Sequence, residues 1–375
     1  MKPSNAPEPA EGSARTATER VEPVERRGNG RRDGPMQVAL AADEPYFAGL
    51  ACAIFSIMLA NGKDRGIDFH VMDGGIDDAS WNFLESKCSA ISPHIRLRRH
   101  RISTAAFADF PKDSWGGVMT YARLFMETLI EEDEVIYFDS DILCFRDLRE
   151  LWEEPMGDNL IAACRDWGVQ FLGEDCAFEL NEEDARRWYF NAGFMKINLD
   201  GWRRESVQAR TLALLRDFGG KCRWHDQTAL NTLCMGRVRY LDAEYNHYYI
   251  HDVTLGDFTE GRINIHFAAK TKPWQTYDLK LISNVVWRVY LEKCMPGWTR
   301  PRGWLDRIKE MRHHIAIFLM NGLGTLLIGT MNAVRACLPC NERFRALSQW
   351  LERRRVAIQI IQWVSARAAS LENPE

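Results

Sequence analysis

The sequence predicts an α/β fold, a mostly parallel central sheet with helices on both faces. Three observations predict it. Short apolar runs recur from Gln37 to Phe267. Helical patterns separate the first of these runs in the order β-α-β-α-β-α-β, the alternation that builds parallel sheets. Two of the runs lead directly into aspartate, at Asp43 and Asp139, and open α/β sheets bind ligands at such strand ends.

Gln37–Ala42 (QVALAA) reads as a buried strand. An apolar helix follows over Pro45–Ala60, with Pro45 suited to a first turn and Asn61-Gly62 as its stop. Ile67–Met72 is a second strand, and Asp77–Ser89 a helix that Asp77 or Asp78 can cap. Ile95–Arg99 is a weaker strand, Val118–Ile130 a helix, and Glu134–Phe138 (EVIYF) a strand. Asn159–Cys164 and Gly193–Asn198 are further strands. Asp200–Phe218 reads as one long helix stopped by Gly219-Gly220, and His225–Cys234 as a shorter one. Arg262–Phe267 is the last clear strand.

Residues 1–35 are rich in Pro, Glu, Arg, Gly and Ala. Such a stretch buries too little surface to offset its ordering entropy, so a disordered tail without a signal peptide is expected. A core domain over 36–280 and a helical C-terminal region over 281–375 complete the expected organisation. A net charge of −4 gives no reason to expect nucleic acid as a partner. The ten cysteines are scattered singly and read as reduced, mostly buried thiols. Cys337-x-x-Cys340 lacks the second pair that a zinc site needs.

The C-terminal region changes character. Ile315–Val334 holds no charged residue and lies between Arg307, Lys309 and Arg312 on one side and Arg335 on the other. It is just long enough to cross a bilayer, although its glycines and asparagines weaken that reading. In Phe344–Val364, Leu347, Trp350, Leu351, Ile358, Ile361 and Trp363 alternate with Arg343, Arg345 and Arg353–Arg355. This pattern favours an interfacial helix on anionic lipid. A span or re-entrant hairpin and a soluble helical subdomain are the alternatives.

The sharpest chemical feature is Asp139-Ser140-Asp141, directly after an apolar strand. In an extended segment, residues two apart project to one side, so both carboxylates can face one ion. Together with phosphate oxygens they suit a hard cation, Mn2+ or Mg2+. Two solvated acids in a turn look the same in sequence. His266 sits inside the last apolar strand, where a satisfied core histidine is the plainer reading. Lys272, followed by Pro273, suits a diphosphate partner near a strand end, or a surface turn.

Taken together, these residues resemble glycosyltransferase family 8, which contains bacterial lipopolysaccharide glucosyl- and galactosyltransferases and glycogenin. Six segments carry the resemblance, in order, across Gln37–Tyr277. They are Ala41-Ala42-Asp43; Thr120-Tyr121-Ala122-Arg123-Leu124; Tyr137 to Asp141; Tyr189 to Phe194 with Ile197-Asn198-Leu199; Asp226-Gln227 with Leu230-Asn231; and His266-Phe267 through Lys272-Pro273-Trp274.

The resemblance implies a GT-A fold and a retaining transfer of glucose or galactose. The donor would be a UDP-sugar, and the acceptor a glycan or glycolipid such as a lipopolysaccharide core. It implies Mn2+, with Mg2+ as the alternative, on Asp139, Asp141 and His266. Lys272 and Arg123 would reach the donor diphosphate or sugar, and Ala41 and Asp43 the nucleoside. Asn191, Asp226 and Gln227 would surround the transferred sugar, with Asp166 near the acceptor or donor sugar. Gln227 matches the family's usual candidate nucleophile. An amide is a weak nucleophile, so stabilisation of an oxocarbenium-like ion pair by its carbonyl dipole is the preferred role. A lipid-linked acceptor fits a cytoplasmic protein attached to the cytoplasmic face of the inner membrane.

The sequence departs from the family pattern at Ala269, where a glycine is common, and at Pro45, where several relatives carry a polar residue. Trp224 has two readings, stacking on a sugar or packing in the core. A nucleotidyltransferase would usually carry a Gly-rich basic loop after the first strand, whereas Ala42-Asp43-Glu44-Pro45 is acidic. A non-catalytic sugar- or nucleotide-binding protein on the same fold is the other competing reading, set against intact ligand positions.

Overall fold

A computed structural model describes residues 34–62, 66–111, 117–251, 253–275, 282–295, 323–336 and 342–369, together with the single residues 311, 315 and 319. The tail expected over 1–35 lies outside the described residues apart from Gly34 and Pro35, as does Cys337-x-x-Cys340.

Among the described residues, ten strands form two sheets. They are β1 (Met36–Ala42), β2 (Ile67–Asp73), β3 (Ile95–Arg101), β4 (Glu134–Asp139), β5 (Ile142–Cys144), β6 (Ile161–Arg165), β7 (Phe190–Asn198), β8 (Val238–Leu241), β9 (His247–Tyr248) and β10 (Asn264–His266). The main sheet has the order β3-β2-β1-β4-β7-β6-β8. All its strands run parallel except β7, which is antiparallel to both β4 and β6. Strands covered on both faces read as continuous apolar runs, which is why β1 and β4 were legible. The second sheet has the order β5-β10-β9. The last strand of the sequence reading therefore lies outside the main sheet.

Two expected helices differ. Val118–Ile130 is mostly a 3-10 segment, Met119–Phe125, with one α-turn over Met126–Leu129. The tighter winding brings residues three apart onto one side, and here it stacks Arg123 on Thr120, whose carbonyl accepts from Arg123 Nε at 3.0 Å. The long helix over Asp200–Phe218 is split into Leu199–Glu205 and Val207–Phe218 by Ser206, whose φ is 53°. Neither glycine nor proline marks that break. The helix Asp78–Ile91 is capped by Asp77, whose carboxylate accepts from Ser80 N at 2.6 Å.

The first helix, Phe47–Asn61, has every residue but Ala60 buried. Such burial stabilises by roughly 1.5–3 kcal/mol per large apolar side chain, as an upper estimate. The C-terminal helix Glu342–Ala369 lies against the helix Ile282–Cys294, burying Leu351, Ile358, Ile361 and Val364. Trp363 meets Phe145 and Phe258 with ring centroids 6.3 Å away, and Arg367 donates to Leu59 O at 2.8 Å. The apolar stripe formed by Ile358, Ile361 and Trp363 thus faces protein, while Leu347 stays exposed.

Candidate active site

Parallel pairing of β1 with β4 sets Ala41 opposite Asp139, so both strands end at the same edge of the sheet. Ser140 Oγ donates to Ala41 O at 2.7 Å and pins the chain there. Ser140 and Asp141 form a tight turn into β5 rather than an extended run. The turn and the neighbouring strand bring the carboxylates together: β10 pairs antiparallel with β5 and sets His266 opposite Ile142. His266 Nε2 lies 3.3 Å from Asp141 Oδ1 and 3.8 Å from Asp139 Oδ2. One ligand atom from each of the three residues falls within 4.8 Å of the others.

His266 is closely seated. A Cβ on Gly193 would sit 2.3 Å from His266 Cε1, so no larger residue fits beneath the ring. The edge of Trp167 meets the imidazole at 5.2 Å between centroids. Nδ1 lies 2.9 Å from Asn246 Oδ1.

Charges converge on the same corner. Lys272 Nζ lies 2.5 Å from Asp141 Oδ2 and donates to Phe267 O at 3.2 Å. Burial by itself raises the Asp141 carboxyl, but Lys272 and His266 outweigh it and hold the group well below the usual carboxylate range. Arg123, expected to reach the donor, is buried and turned toward Asp139 and Asp226. Its Nη2 lies 3.1 Å from Asp139 Oδ1 and its Nε 3.0 Å from Asp226 Oδ2, the latter an ion contact without hydrogen-bond alignment. Nη1 donates to Ala192 O at 2.5 Å, and the guanidinium carbon lies 4.8 Å from the Tyr137 ring centre. Desolvation opposes its charge, but Asp139 and Asp226 outweigh that and keep it firmly cationic. Tyr137 donates to Asp139 Oδ1 at 2.8 Å. Asp226 is 1% exposed, accepts from Thr120 Oγ1 at 2.5 Å, and has its carboxyl raised by burial.

On the other side of His266, Asp166 collects four donors. Gly168 N and Val169 N reach Oδ1 at 2.8 and 3.0 Å, and Asn191 Nδ2 and Gln227 Nε2 reach Oδ2 at 2.9 and 3.2 Å. Gln227 Oε1 accepts from Ala192 N at 2.8 Å, so the amide is held at both ends. Gln227 is the second residue of a helix, Asp226–Leu233, whose preceding residue His225 has φ 55° and ψ −122°, a conformation rare for a non-glycine residue and frequent at functional sites. At the end of β1, Asp43 Oδ1 accepts from Tyr46 N at 3.3 Å, and Pro45 lies in the short 3-10 turn that this caps. Ala269 N donates to Phe267 O at 2.7 Å, closing a turn ahead of Lys272. Trp224 is 43% exposed, which removes the core-packing reading.

Sequence reasoning missed Thr120, Tyr137, Trp167, His225 and Asn246. Thr120 and Tyr137 stand within matched segments, and their polar atoms were the available signal. Asn246 stood among aromatics with no pattern to mark it.

Comparison with known proteins identifies the family and the fold. One relative is a putative glycosyltransferase of Haemophilus influenzae, 28% identical over 213 residues, spanning 56% of this chain and 63% of that protein's length. Another is a lipopolysaccharide 1,2-glucosyltransferase of Escherichia coli strain K12, 26% identical over 65% of this chain and 74% of the relative. Among solved structures, the galactosyltransferase LgtC in complex with donor and acceptor sugar analogs superimposes with a TM-score of 0.58 at 26% identity, over 72% of this chain and 99% of LgtC. The fold is therefore GT-A. Residues 37–278, which carry β1 through Lys272 and so the whole cation corner, match Glycosyl transferase family 8, and the chain belongs to that family.

Proposed function

We propose that the protein is a retaining hexosyltransferase. It moves glucose or galactose from a UDP-sugar to a glycan acceptor, a lipopolysaccharide core or a related glycoconjugate, with Mn2+ or Mg2+ at Asp139, Asp141 and His266. The observation that carries the reading is the convergence of these three ligand atoms beside Lys272. The donor set fits: two carboxylates suit either cation, and the imidazole favours Mn2+ over Mg2+. When bound, the cation supplies Lewis-acid neutralisation of the charge that gathers on the departing UDP.

The protein's own groups do the rest. Lys272 is a buried point charge at the same corner and stabilises the same diphosphate oxygens. Ala41 and Asp43, at the end of β1, hold the nucleoside. Arg123 braces Asp139 from below with its charge retained, and Asp226 and Thr120 hold Arg123 in place. Asp166, Asn191 and Gln227 line the sugar side. A nucleophilic attack by Gln227 would use an amide tethered at both ends. A front-face reaction suits that tether better. The Asp166 charge and the Gln227 carbonyl dipole then present negative potential to an oxocarbenium-like centre.

The likeness to lipopolysaccharide glycosyltransferases supports a lipid-linked acceptor. Met311, Ile315, Leu319 and Leu323 are exposed at a spacing of four. This apolar ridge supports peripheral contact at the cytoplasmic face of the inner membrane.

Nucleotide release from a panel of UDP-sugars tests the reading, with and without Mn2+, comparing wild type with Asp141→Ala. Slow, Mn2+-dependent hydrolysis of one donor, lost in the variant, is expected and names the sugar. No release from any donor, together with no Mn2+-dependent UDP binding, overturns it in favour of a non-catalytic binding protein.

A further inference from the structure

We propose that Asn246 is a positioning residue that orients His266 for the cation, and that Asp166 dictates the orientation of Asn246 through Asn191. The inference rests on the cation reading above and adds to it a polarity that runs through four side chains.

Backbone N–H groups supply the fixed points, because they can only donate. Gly168 N and Val169 N take up Asp166 Oδ1, and Gly193 N donates to Asn191 Oδ1 at 3.0 Å. Asn191 must therefore turn its oxygen toward Gly193 and its NH2 toward Asp166 Oδ2, at 2.9 Å. The same Asn191 oxygen lies 2.9 Å from Asn246, so Asn246 presents its Nδ2 there. Its Oδ1 is then left facing His266 Nδ1, at 2.9 Å. A carbonyl oxygen only accepts, so Nδ1 carries the proton. Nε2 is the nitrogen that faces Asp139 and Asp141, and it is the one free to offer a lone pair.

Reversing either amide would set oxygen against oxygen or N–H against N–H. Asn246 is 0% exposed and Asn191 8%, so water cannot repair the mismatch. A metal-binding histidine is commonly fixed by a carboxylate or carbonyl partner. Here a neutral amide does it, and the carboxylate that sets the direction stands on the sugar side of the site.

Mn2+ affinity in saturating UDP, read by electron paramagnetic resonance, tests this without turnover, with thermal melting as a check of folding. Wild type is the reference, and Asp141→Ala marks loss of the site. Asn246→Leu is expected to weaken Mn2+ binding ~10–100-fold, the range seen when such partners are removed. Asn246→Asp keeps an acceptor for Nδ1–H but sets an oxygen against Asn191 Oδ1, so it is expected to weaken Mn2+ binding less than Asn246→Leu does. Asp166→Asn touches none of the three ligands, yet it must turn an NH2 either toward the backbone donors or toward Asn191 and Gln227. It is expected to weaken Mn2+ several-fold. Wild-type affinity in Asn246→Leu or Asp166→Asn overturns the relay. A loss in Asn246→Asp as large as that in Asn246→Leu also overturns it, since an acceptor at His266 Nδ1 would then make no difference. If Asn246→Leu does not fold, Asp166→Asn decides. Absence of Mn2+ binding in wild type overturns the cation reading, and the relay with it.

Discussion

Replacing Gly193 with alanine tests the cation corner with a single methyl group. The added Cβ would lie 2.3 Å from His266 Cε1 and 2.9 Å from its Nδ1. Non-bonded carbons settle near 3.5–4.0 Å, so the imidazole must recede by roughly 1.2 Å or more. Cation–ligand distances tolerate only about 0.2 Å, so Nε2 leaves its place beside Asp139 and Asp141. Loss of that contact is expected to weaken Mn2+ binding at least ~10–100-fold, while overpacking lowers stability by about 1–3 kcal/mol. Gly173→Ala is the control. Its Cβ would meet Ala185 Cβ at 2.9 Å and Ala185 O at 3.0 Å, a milder clash that touches no ligand. Mn2+ titration in the presence of UDP and thermal melting are run on both variants. Both are expected to melt earlier, and only Gly193→Ala to lose Mn2+. If Gly193→Ala binds Mn2+ within about twofold of wild type while melting early, His266 is not a ligand.

Three other predictions follow from buried charge and from the tethered amide. In Lys272→Met the Asp141 carboxylate loses its close ammonium partner. Removing one member of a buried pair costs about 3–5 kcal/mol, so melting should fall without Mn2+, and the rise on adding Mn2+ alone should exceed that of wild type. An equal rise would show that Lys272 is not the counter-charge. Gln227→Ala should lower kcat ~10²-fold or more if the carbonyl dipole faces developing positive charge, as removal of one such group does elsewhere. Retention of most of kcat would exclude Gln227 from the chemistry. His70 is buried against Gln37 and His100, and burial lowers its pKa from 6.5 to about 4. Its folded pKa lies below its unfolded one, so its contribution is complete above pH 6.5 and is lost as pH falls through 4. That contribution is about 3 kcal/mol. Urea midpoints should therefore decline over this interval in wild type and decline less in His70→Leu, and an unchanged slope in the variant would refute the assignment.

How much of this was readable before the structure depends on the length scale of each feature. Buried parallel strands declare themselves because both faces are covered, so Gln37–Ala42 and Glu134–Phe138 differ from β1 and β4 by a single residue at one end. β5, β8 and β9 did not, because two to four residues are too few to show a period, whereas the equally short β10 is flanked by apolar Ile263 and Phe267. The 3-10 winding at Met119–Phe125 escaped because apolar residues three and four apart serve either helix type. Ligands are legible for a related reason: Asp139 and Asp141 sit two apart after an apolar run, and His266 lies in another. The groups that orient them are not. Asn246 reaches His266 across a separation of 20 residues and Asn191 across 55, and nothing local distinguishes it from a surface asparagine. Even with every residue in place, amide oxygen and nitrogen are interchangeable in outline, and a histidine has two tautomers. What resolves them here is the backbone, whose N–H groups at Ala192, Gly193, Gly168 and Val169 have one polarity each. Once those are counted, every side-chain orientation from Gln227 to His266 follows. The metal-facing nitrogen is therefore a property of the strand and loop geometry around Asn191 as much as of the histidine itself, which is why a substitution at Asp166 should be felt at the cation.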